Sequence, residues 1–413
     1  MKIVYINKYD LYGGAAIAAW RLHESLRNIF NTDNSFIVRE KKSHHENVYK
    51  TINGQYKSFI ERKTNKLLDI FGLQYQYFPF SSKAIIDNIN RLQPDIISLH
   101  NTHGGYFKTS LLSKLSQVAP IVWTLHDMWS FTGNAAHTFG DDSWKRMEKC
   151  NNKSIYPAIG INTGKWLLRQ KKKIYQKSNL SIVTPSRWLY ELASQSPVFH
   201  GKKIFHILNG IDLDLYSPIN KKTAREVLGL PVKHPALCFS AASLNDGSWK
   251  GGGELIKLIS VLNNKTKLPI SIILLGEGDV KKIDNFSNLR FYRMGYVSNN
   301  RFMALCLSAA DLFIYPTKAD NLPNVLVESI ACGTPCVTFD IGGCKEIIID
   351  GENGFVIPPF DIELFVKRIM QVLADKYLQK VLTTNSRKIA ENKFSIKTMA
   401  DKYYQLFCGI LNK

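Results

Sequence analysis

Short apolar runs of β character alternate with longer runs of helical periodicity along the whole chain of 413 residues. In the first half, the β-like runs are KIVYIN, DIISLHN, PIVWTLHD, LSIVTPS and IFHILNG, and helical segments such as GGAAIAAWRLHESLRNI separate them. In the second half, they are ALCFSAAS, ISIILLGEG, LRFYRMGYV, LFIYPT, PCVTFD and GFVIPP. Such alternation predicts an α/β fold in which helices cover both faces of parallel sheets.

The chain is long enough for two domains, and the periodic pattern is interrupted once near its middle. Polar and turn residues replace it in NGIDLDLYSPINKK, residues 209–222. We predict an N-terminal Rossmann-like domain over 1–208, a linker over 209–222, a C-terminal Rossmann-like domain over 223–393 and a closing helix over 394–413. Ligands of doubly wound sheets bind beyond the carboxyl ends of the strands. We therefore expect the functional residues in loops that follow strands, facing a cleft between the two domains.

The sequence also indicates a compartment. The start, MKIVYINKYDLYGG, lacks the apolar block of a signal peptide, and no apolar run approaches the roughly 18 residues that cross a bilayer. Seven cysteines at irregular spacing are typical of a reducing cytosol. Cys332, Cys336 and Cys344 form no C-x-x-C pair, so we expect them to be core thiols. These features predict a cytoplasmic protein.

The formal net charge is +20, and residues 150–190 contain eight basic side chains and no acidic one. Within this stretch, GKWLLRQKKKIYQKSNL mixes Trp166, Leu167, Leu168 and Tyr175 with lysines and an arginine. The pattern suits contact with an anionic membrane surface, attraction of nucleic acid, or a solvated helix face. Because no nucleic-acid-binding motif accompanies the charge, we predict a membrane contact through 150–190 and no nucleic-acid partner.

Gly13 and Gly14 follow the first β-like run and open the first helical segment. Glycine at this position lets the backbone approach a phosphate, and a helix N-terminus supplies positive potential there. A simple tight turn would use the same residues, and the spacing is not the G-x-G-x-x-G dinucleotide motif.

Two acids frame another junction between a strand and a helix. Asp320 lies in the loop after LFIYPT, and Glu328 follows after seven intervening residues, inside the helix that Pro323 begins. Sugar and ribose hydroxyls are hydrogen-bond donors, so two carboxylate acceptors at one helix mouth are suited to hold them. The residues expected to receive a diphosphate at this helix N-terminus are Asn321, Leu322, Pro323, Asn324 and Val325.

The segment YPTKADNLPNVLVESIACGTPCV resembles the acid-x7-acid signature of the retaining glycosyltransferases of family 4, which have the GT-B fold. Other resemblances to this family follow in order along nearly the whole chain. They are Gly13-Gly14, Leu125-His126-Asp127, Asn209-Gly210-Ile211-Asp212, Lys250-Gly251, Gly276-Glu277-Gly278, Gly342-Gly343 and the closing segment FSIKTMADKYYQLF. WTLHDMWSFTG and TPSRWL are similar to a subgroup that assembles bacterial surface polysaccharides, such as O-antigen and capsule.

The resemblance implies transfer of a sugar from a nucleotide-diphosphate sugar to a glycan acceptor, with retention of anomeric configuration and without a metal ion. Glu328 would hold the donor's ribose, Asp320 the sugar hydroxyls, and Lys250 the diphosphate, while His126 would position the sugar and the acceptor hydroxyl. A UDP-sugar is the expected donor, with a GDP-sugar as the alternative, and no cofactor is expected. The other residues expected to bind the donor are Gly13, Gly14, Ser243, Gly276, Glu277, Tyr296 and Val297.

The sequence departs from the family pattern in two places. The first acid is Asp320 where the family usually has Glu, so its carboxylate reaches about one C–C bond less far. The arginine that usually precedes the lysine is missing from SAASLNDGSWKG, which offers Ser243, Asn245 and Ser248 instead. Lys250 then becomes the main cation for the donor phosphates.

For the acceptor, the expected residues are His103, Asp127 and Trp129, because they follow predicted strands. His100 and His103 have structural and functional interpretations of equal weight. Trp129, Trp144 and Trp188 offer stacking surfaces if they are not core residues, which is the default for tryptophan. The resemblance implies a lipid-linked or other oligosaccharide as the acceptor, at the inner face of a bacterial plasma membrane. A nucleotide-sugar epimerase of the same fold and a non-catalytic carbohydrate-binding relative remain the alternatives.

Overall fold

The computed structural model describes residues 1–243, 249–278 and 286–412. Contacts divide the chain into two compact units, which we name unit 1 and unit 2. Unit 1 comprises Met1–Gly210 together with the C-terminal residues from Met399 onward, and unit 2 comprises Ile211–Thr398. Asn245 and Ser248, two of the polar residues predicted ahead of Lys250, lie outside the described residues.

Unit 1 contains one sheet in which seven strands run parallel in the order β3-β2-β1-β4-β5-β6-β7. The strands are β1 (Lys2–Tyr9), β2 (Asp33–Glu40), β3 (Val48–Lys50), β4 (Ile96–Leu99), β5 (Ile121–Thr124), β6 (Leu180–Thr184) and β7 (Lys203–His206). The central strands are buried along their length, as expected for a sheet that helices cover on both faces. The direction of strand succession reverses between β1 and β4, and such a reversal opens a crevice at the carboxyl ends.

Six α-helices connect these strands. They are α1 (Gly14–Phe30), α2 (Gln55–Ile70), α3 (Pro79–Leu92), α4 (Leu111–Leu115), α5 (Gly164–Gln176) and α6 (Arg187–Ser194). Two 3-10 turns, Trp129–Phe131 and Ser143–Arg146, follow β5. Helix α1 is followed by Asn31, which takes the left-handed conformation that commonly ends helices.

Unit 2 repeats this architecture with six parallel strands in the order β10-β9-β8-β11-β12-β13. The strands are β8 (Ala236–Ser243), β9 (Ile270–Glu277), β10 (Leu289–Gly295), β11 (Leu312–Tyr315), β12 (Cys336–Phe339) and β13 (Gly354–Ile357). Here the order of strands reverses between β8 and β11. The loops after these two strands therefore adjoin the crevice of this sheet.

Seven helices lie within the described residues of unit 2. They are α7 (Lys221–Val227), α8 (Gly252–Lys265), α9 (Asn300–Ala309), α10 (Asn324–Ala331), α11 (Cys344–Ile347), α12 (Ile362–Ala374) and α13 (Lys376–Lys393). Leu258 of α8 and Val366 of α12 are at most 1% exposed and belong to one apolar cluster with the sheet residues Phe239 and Val337. Burial of each such side chain contributes roughly 1.5–3 kcal/mol to folding.

The last helix, α14 (Ile396–Leu411), begins in unit 2 and packs in unit 1 for most of its length. The hydroxyl groups of Tyr403 and Thr124 lie 2.8 Å apart. The ring of Tyr404 stacks on that of Phe30 with centroids 4.0 Å apart. The sequence predicted a closing helix over 394–413, and the observed helix begins two residues later, at Ile396.

The predicted α/β architecture of two parallel, doubly wound sheets is confirmed. The sequence did not indicate β2 and β3, which form one edge of the first sheet. No helix within the described residues is both long enough and apolar enough to cross a bilayer. Cys332, Cys336 and Cys344 are free and buried, and burial raises the pKa of Cys332 and Cys336 to about 12, as expected of core thiols.

Candidate functional site

A pair of opposite charges lies at the point in unit 2 where the strand order reverses. Lys250 follows β8 and Asp320 follows β11, and the ammonium of Lys250 donates a hydrogen bond to Oδ2 of Asp320 at 2.5 Å. The side chain of Lys250 is 41% exposed and that of Asp320 is 13% exposed. The two residues that the sequence assigned to phosphate and sugar recognition are therefore neighbours, and the cation remains open to solvent.

A close approach of two backbones brings this pair together. Gly251 has φ +86°, and a Cβ atom there would lie 2.0 Å from the carbonyl oxygen of Pro316. The carbonyl of Trp249 accepts hydrogen bonds from the amide of Lys318 at 2.8 Å and from the hydroxyl of Thr317 at 3.0 Å. The loop after β8 is therefore fastened onto the loop after β11, and only glycine fits at position 251.

A second glycine contact supports the carboxylate from the other side. A Cβ atom at Gly342, where φ is +57°, would lie 1.8 Å from the carbonyl oxygen of Asp320. The hydroxyl of Tyr315 donates to Oδ2 of Asp320 at 2.5 Å, and the amide of Asn321 donates to Oδ1 at 2.9 Å. Burial, and then the charge of Asp320, raises the pKa of Tyr315 well above its usual value, so the phenol stays protonated and donates.

Helix α10 begins later than the sequence suggested. Its first residue is Asn324, with Pro323 as the N-cap, so Asn324 and Val325 form the start of the first turn. Asn321 and Leu322 precede the helix, and the amide of Asn321 is already hydrogen-bonded to the neighbouring carboxylate. Because Pro323 has no N–H to donate, the expected anion site at this N-terminus is limited to the amides of the first turn.

Glu328 lies in the second turn of α10 and is 6% exposed. The helix that follows the loop of Asp320 thus carries a buried carboxylate. The predicted arrangement, with one acid in the loop and one on the helix, is present in the structure.

The remaining residues predicted for the donor in unit 2 follow the neighbouring strands. The backbone of Ser243 at the end of β8 pairs in register with Glu277 at the end of β9, where Gly276 precedes it. Tyr296 and Val297 come directly after β10 and are half-buried. These residues therefore lie at the same edge of the sheet as the Lys250–Asp320 pair.

In unit 1, two histidines meet after the adjacent strands β4 and β5. Nδ1 of His100 lies 3.0 Å from Nε2 of His126, and Nε2 of His100 lies 3.2 Å from the hydroxyl of Ser98. Burial lowers the pKa of His126 to about 4, and burial together with His126 lowers the pKa of His100 well below its usual value. Both imidazoles are therefore neutral near pH 7, so one ring donates a proton to the hydrogen bond and the other accepts it.

A second pair adjoins the histidines. Nε2 of His103 lies 2.5 Å from Oδ2 of Asp127, and the amide of Trp129 donates to Oδ1 of Asp127 at 2.9 Å. Burial by itself raises the pKa of Asp127, but His103 and the Trp129 amide outweigh it and keep the pKa below its usual value. The side chain of Asp127 is 27% exposed and that of His103 is 7% exposed, so the carboxylate is the more accessible group of the pair. Both pairs line one small pocket of unit 1.

Trp129 differs from the expected stacking surface. It is 2% exposed, and its indole N–H donates to the side chain of Gln74 at 2.9 Å. Gln74 lies in an irregular segment before α3, and no sequence pattern indicated it. Trp129 therefore acts in this structure as a buried support for Asp127. Trp144 is also 2% exposed and is a core residue, whereas Trp188 is half-buried.

Lys171 was expected on the basic surface of α5, and the structure instead buries it at 3% exposure. Its ammonium donates to the carbonyl oxygens of Trp129 at 2.5 Å, Thr132 at 3.0 Å and Gly133 at 3.4 Å, and lies 3.8 Å from the centre of the Trp129 ring. Burial lowers the pKa of Lys171 well below its usual value. The side chain thus fastens α5 to the loop that carries Asp127 and Trp129.

The expected glycine-rich loop is present at the start of α1. Gly13 is the N-cap residue with φ +83°, and its carbonyl accepts hydrogen bonds from the amides of Ala16 and Ile17, each at 3.0 Å. Among the residues that the structure describes, no atom lies within 4 Å of the position that a Cβ atom would take at Gly13.

Two protein-family models match the chain. The model for glycosyltransferase family 4 matches residues 12–215, and the model for glycosyl transferases of group 1 matches residues 220–389. The two matches meet near the division between unit 1 and unit 2.

Two of the proteins that are similar in sequence to this chain come from Escherichia coli. One is a putative colanic acid biosynthesis glycosyl transferase, WcaC, with 25% identity over 235 residues, which are 55% of this chain and 54% of that protein. The matched region therefore spans only about half the length of that relative. The other is the UDP-Gal:alpha-D-GlcNAc-diphosphoundecaprenol alpha-1,3-galactosyltransferase, with 26% identity over 347 residues and 80% of each chain covered.

Solved structures resemble the whole chain. The sucrose-phosphate synthase of Thermosynechococcus elongatus has a TM-score of 0.72 at 16% identity, covering 100% of this chain and 99% of that one. HepE of Anabaena, in complex with UDP-glucose, has a TM-score of 0.66 at 17% identity, covering 99% of this chain and 100% of that one. At these identities the similarity shows the fold alone, which is GT-B.

Proposed function

The chain belongs to glycosyltransferase family 4, and on this premise we propose that it transfers a sugar from a nucleotide-diphosphate sugar to a glycan acceptor in surface-polysaccharide biosynthesis. The observation that carries the proposal is the open Lys250–Asp320 pair at the strand-order reversal of unit 2, in front of the α10 N-terminus. This position is where doubly wound sheets bind phosphorylated ligands.

The donor's diphosphate would take Asp320's place as the partner of Lys250. An ion pair with a cation 41% exposed is worth little, so a dianionic ligand can displace it at small cost. The released Asp320 carboxylate then accepts hydrogen bonds from hydroxyls of the sugar, and Glu328 accepts from the ribose. This arrangement gives the short side chain of Asp320 a role, because its carboxylate pairs with the ammonium of Lys250 until a donor binds.

In the proposed reaction, the bond between the anomeric carbon and the diphosphate oxygen breaks, and the nucleotide diphosphate leaves with the bonding electrons. The oxygen of the acceptor hydroxyl forms the new bond on the same face of the sugar, so the configuration is retained. Its proton passes to the departing diphosphate. Lys250 and the first turn of α10 stabilise the negative charge that develops on the leaving group, and we propose that no metal ion is needed.

The acceptor would use the pocket of unit 1. Neutral His126 can donate or accept one hydrogen bond without changing charge, and the half-buried carboxylate of Asp127 can accept from a sugar hydroxyl. His103 and Trp129 hold that carboxylate in place. We therefore propose Asp127 and His126 as the contacts of the acceptor and His103 and Trp129 as the residues that position them.

For the substrates, we propose a UDP-sugar as the donor, with a GDP-sugar as the alternative, and a lipid-linked oligosaccharide as the acceptor. A structural neighbour that binds UDP-glucose and a relative that acts on a diphosphoundecaprenol-linked sugar support this choice. We further propose a cytoplasmic enzyme that contacts the inner face of a bacterial plasma membrane through basic residues of 150–190, without nucleic acid as a partner.

Binding of the donor is the first test. A thermal-shift screen of UDP- and GDP-sugars should reveal one that stabilises the protein, by about 2.7 kcal/mol at a concentration one hundred times its dissociation constant. Lys250→Met should weaken this binding roughly tenfold or more, the usual cost of a charged hydrogen bond to phosphate. Lys265→Met is the matched control, because Lys265 ends the same helix α8 in an ion pair with Glu363, about 20 Å away at 1.5 Å per residue.

Transfer is the second test. Glu328→Ala should abolish sugar transfer to an oligosaccharide acceptor, whereas Lys265→Met should leave it unchanged. Full activity of Glu328→Ala would contradict the assignment of the site. Conversion of the nucleotide sugar without any acceptor would instead identify an epimerase, and unchanged glycan binding without turnover would identify a non-catalytic relative.

A further inference from the structure

Helix α2 of unit 1 presents large apolar side chains to solvent. Tyr56 is 76% exposed, Phe59 48%, Leu67 55% and Ile70 55%. Their spacing of three, eight and three residues places all four on one face of the helix. Soluble proteins rarely expose this many large apolar side chains on one helix face without a partner.

The charges around this row are of one sign. Lys57, Arg62, Lys63 and Lys66 are all exposed on α2, and the cations of Arg62 and Lys63 lie 5.9 Å and 5.4 Å from the ring centre of Phe59. The exposed surface of α2 is therefore apolar and cationic together.

The two carboxylates of α2 do not offset these cations. Glu61 is fully buried, where it accepts from the amide and hydroxyl of Ser81 and lies 3.6 Å from Arg39. Asp69 is half-buried, and burial raises its pKa to about 6, so that part of its population is neutral near pH 6.

This face continues onto α5. The amide of Ile161 donates to the carbonyl of Ile70 at 2.9 Å, and the hydroxyl of Thr163 donates to the carbonyl of Gly72 at 2.5 Å. A Cβ atom at Gly160 would lie 2.2 Å from the carbonyl oxygen of Ile70, so glycine is needed for this contact. The segment just before α5 is thereby fastened to the end of α2.

Along the join, the exposed apolar residues are Phe71 at 52%, Ile161 at 55% and Trp166 at 38%. The exposed cations of α5 are Lys165, Arg169 and Lys173, and α5 contains no acidic residue. Leu167, Leu168 and Tyr175, which the sequence suggested as anchors, are buried in the core instead.

From this continuous face, which we call the α2–α5 face, we infer that unit 1 docks on an anionic lipid bilayer through α2 as well as α5. The inference rests on the proposed membrane contact and changes its location, because the apolar part lies mainly on α2, outside 150–190. Aromatic and aliphatic side chains would enter the headgroup region while the surrounding cations pair with lipid phosphates.

A bilayer fits this face better than a second copy of the chain. Two copies meeting here would bring together clusters of lysine and arginine without exposed carboxylates on either helix to pair with them. An anionic surface instead neutralises every cation at once.

Docking of this face would also fix the acceptor pocket relative to the lipid. Lys171 projects from the inner side of α5 to the carbonyls of Trp129 and Thr132, and the Trp129 amide holds Asp127. The helix that meets the membrane with one side therefore supports the pocket with the other, as an enzyme with a lipid-linked acceptor requires.

Flotation with vesicles tests the inference on the full chain, without any nucleotide sugar. Phosphatidylglycerol-containing vesicles should bind the wild type, and pure phosphatidylcholine vesicles should bind it roughly tenfold more weakly. Two double variants, Phe59→Ser with Ile70→Ser and Lys63→Glu with Lys66→Glu, should each lower binding to anionic vesicles roughly tenfold or more. Raised salt should weaken the wild type and the apolar variant.

The matched control is Tyr377→Ser with Lys380→Glu on α13 of unit 2, where Tyr377 is 79% exposed beside exposed lysines. This variant should bind as the wild type does. Thermal melting and circular dichroism check that each variant is folded, as expected for changes at exposed positions.

The outcomes separate the two proposals. Failure of the wild type to bind anionic vesicles would overturn the membrane contact altogether, while donor binding would still stand. Undiminished binding by both α2 variants, with loss in Lys165→Glu plus Arg169→Glu, would overturn the role of α2 and return the contact to 150–190. A dimer in light scattering that Phe59→Ser with Ile70→Ser dissociates, without vesicle binding, would show that a second copy covers the face.

Discussion

The sheets of unit 1 and unit 2 have the same kind of strand order, in which the direction of succession reverses once. The reversal lies between β1 and β4 in unit 1 and between β8 and β11 in unit 2. Both carry polar side chains in the loops after the strands at or next to the reversal, but in different electrostatic states. In unit 2 Lys250 and Asp320 form an ion pair, and the lysine side chain is 41% exposed. In unit 1 His100 and His126 are neutral because burial lowers the pKa of each.

The difference follows from access to water. An exposed cation keeps its hydration, contributes little to stability and remains available to an anionic ligand. Buried groups lose hydration and must satisfy one another, so removing one of them leaves a partner unsatisfied. We therefore expect substitutions in the pocket of unit 1 to change stability, and those at the Lys250–Asp320 pair to change ligand binding. Four experiments test this contrast.

The largest effect on stability should come from Lys171→Met in unit 1. The variant removes an ammonium from three carbonyl oxygens and from the face of Trp129. We expect the free energy of unfolding to fall by about 3 kcal/mol, because several buried acceptors lose their donor. Urea unfolding measures it, with Lys173→Met as the control on the exposed side of α5, where a change within about 0.5 kcal/mol is expected. Equal stabilities of the two variants would contradict the role of the buried ammonium.

Acidification should also weaken unit 1. Burial lowers the pKa of His126 and of His23 to about 4 in the folded protein, against about 6.5 unfolded. Below pH 6.5 the unfolded chain binds these protons and the folded chain does not, so stability falls as the pH drops towards 4, by up to about 3 kcal/mol for each histidine. Burial raises the pKa of Asp69 to about 6, so its protonation stabilises the folded protein as the pH falls over that range. This gain in stability offsets roughly the loss from one histidine.

Unfolding at a series of pH values measures the net loss. His126→Gln cannot titrate, so its stability should depend less on pH between about 6.5 and 4, by up to about 3 kcal/mol. A variant with the same pH dependence as the wild type would show that His126 is charged or solvated in the folded protein.

A smaller loss of stability is expected at the contact between the loop after β8 and the loop after β11 in unit 2. Gly251→Ala places a Cβ atom against the Pro316 carbonyl and keeps a positive φ. We expect a loss of about 2 kcal/mol, of which roughly half is the backbone conformation and half is the contact. Gly229→Ala is the control, because Gly229 also has a positive φ, +67°, but no atom within 4 Å of its Cβ position. Equal losses in the two variants would mean that the approach of the loops is not tight.

The smallest change in stability should come from Asp320→Asn. The ammonium of Lys250 is exposed enough to regain water, so the free energy of unfolding should change by less than about 1 kcal/mol. Donor affinity should change more than stability, since the carboxylate no longer competes with the diphosphate or receives the sugar. A large loss of stability here would remove the contrast between the two units.

The sequence by itself determined the layered architecture, the family and the identity of the acids at the α10 junction. These properties depend on short-range patterns, such as the period of apolar residues, the placement of Gly and Pro, and the spacing of Asp320 from Glu328. Local patterns were least informative at β2 and β3, which the sequence did not indicate, whereas the start of α10 lies only one residue after the predicted Pro323.

Only the tertiary structure decided which side chains meet and which ones water reaches. Lys171 and Lys173 lie in one run of three lysines, yet Lys171 is buried among carbonyl oxygens while Lys173 is exposed, because a helix turns each successive residue by about 100°. The contact of Gln74 with Trp129 and the exposed apolar row of α2 likewise depend on elements far apart in the chain. Charge, pKa and exposure are set by those long-range contacts, so the sequence named the chemical groups and the fold determined their states.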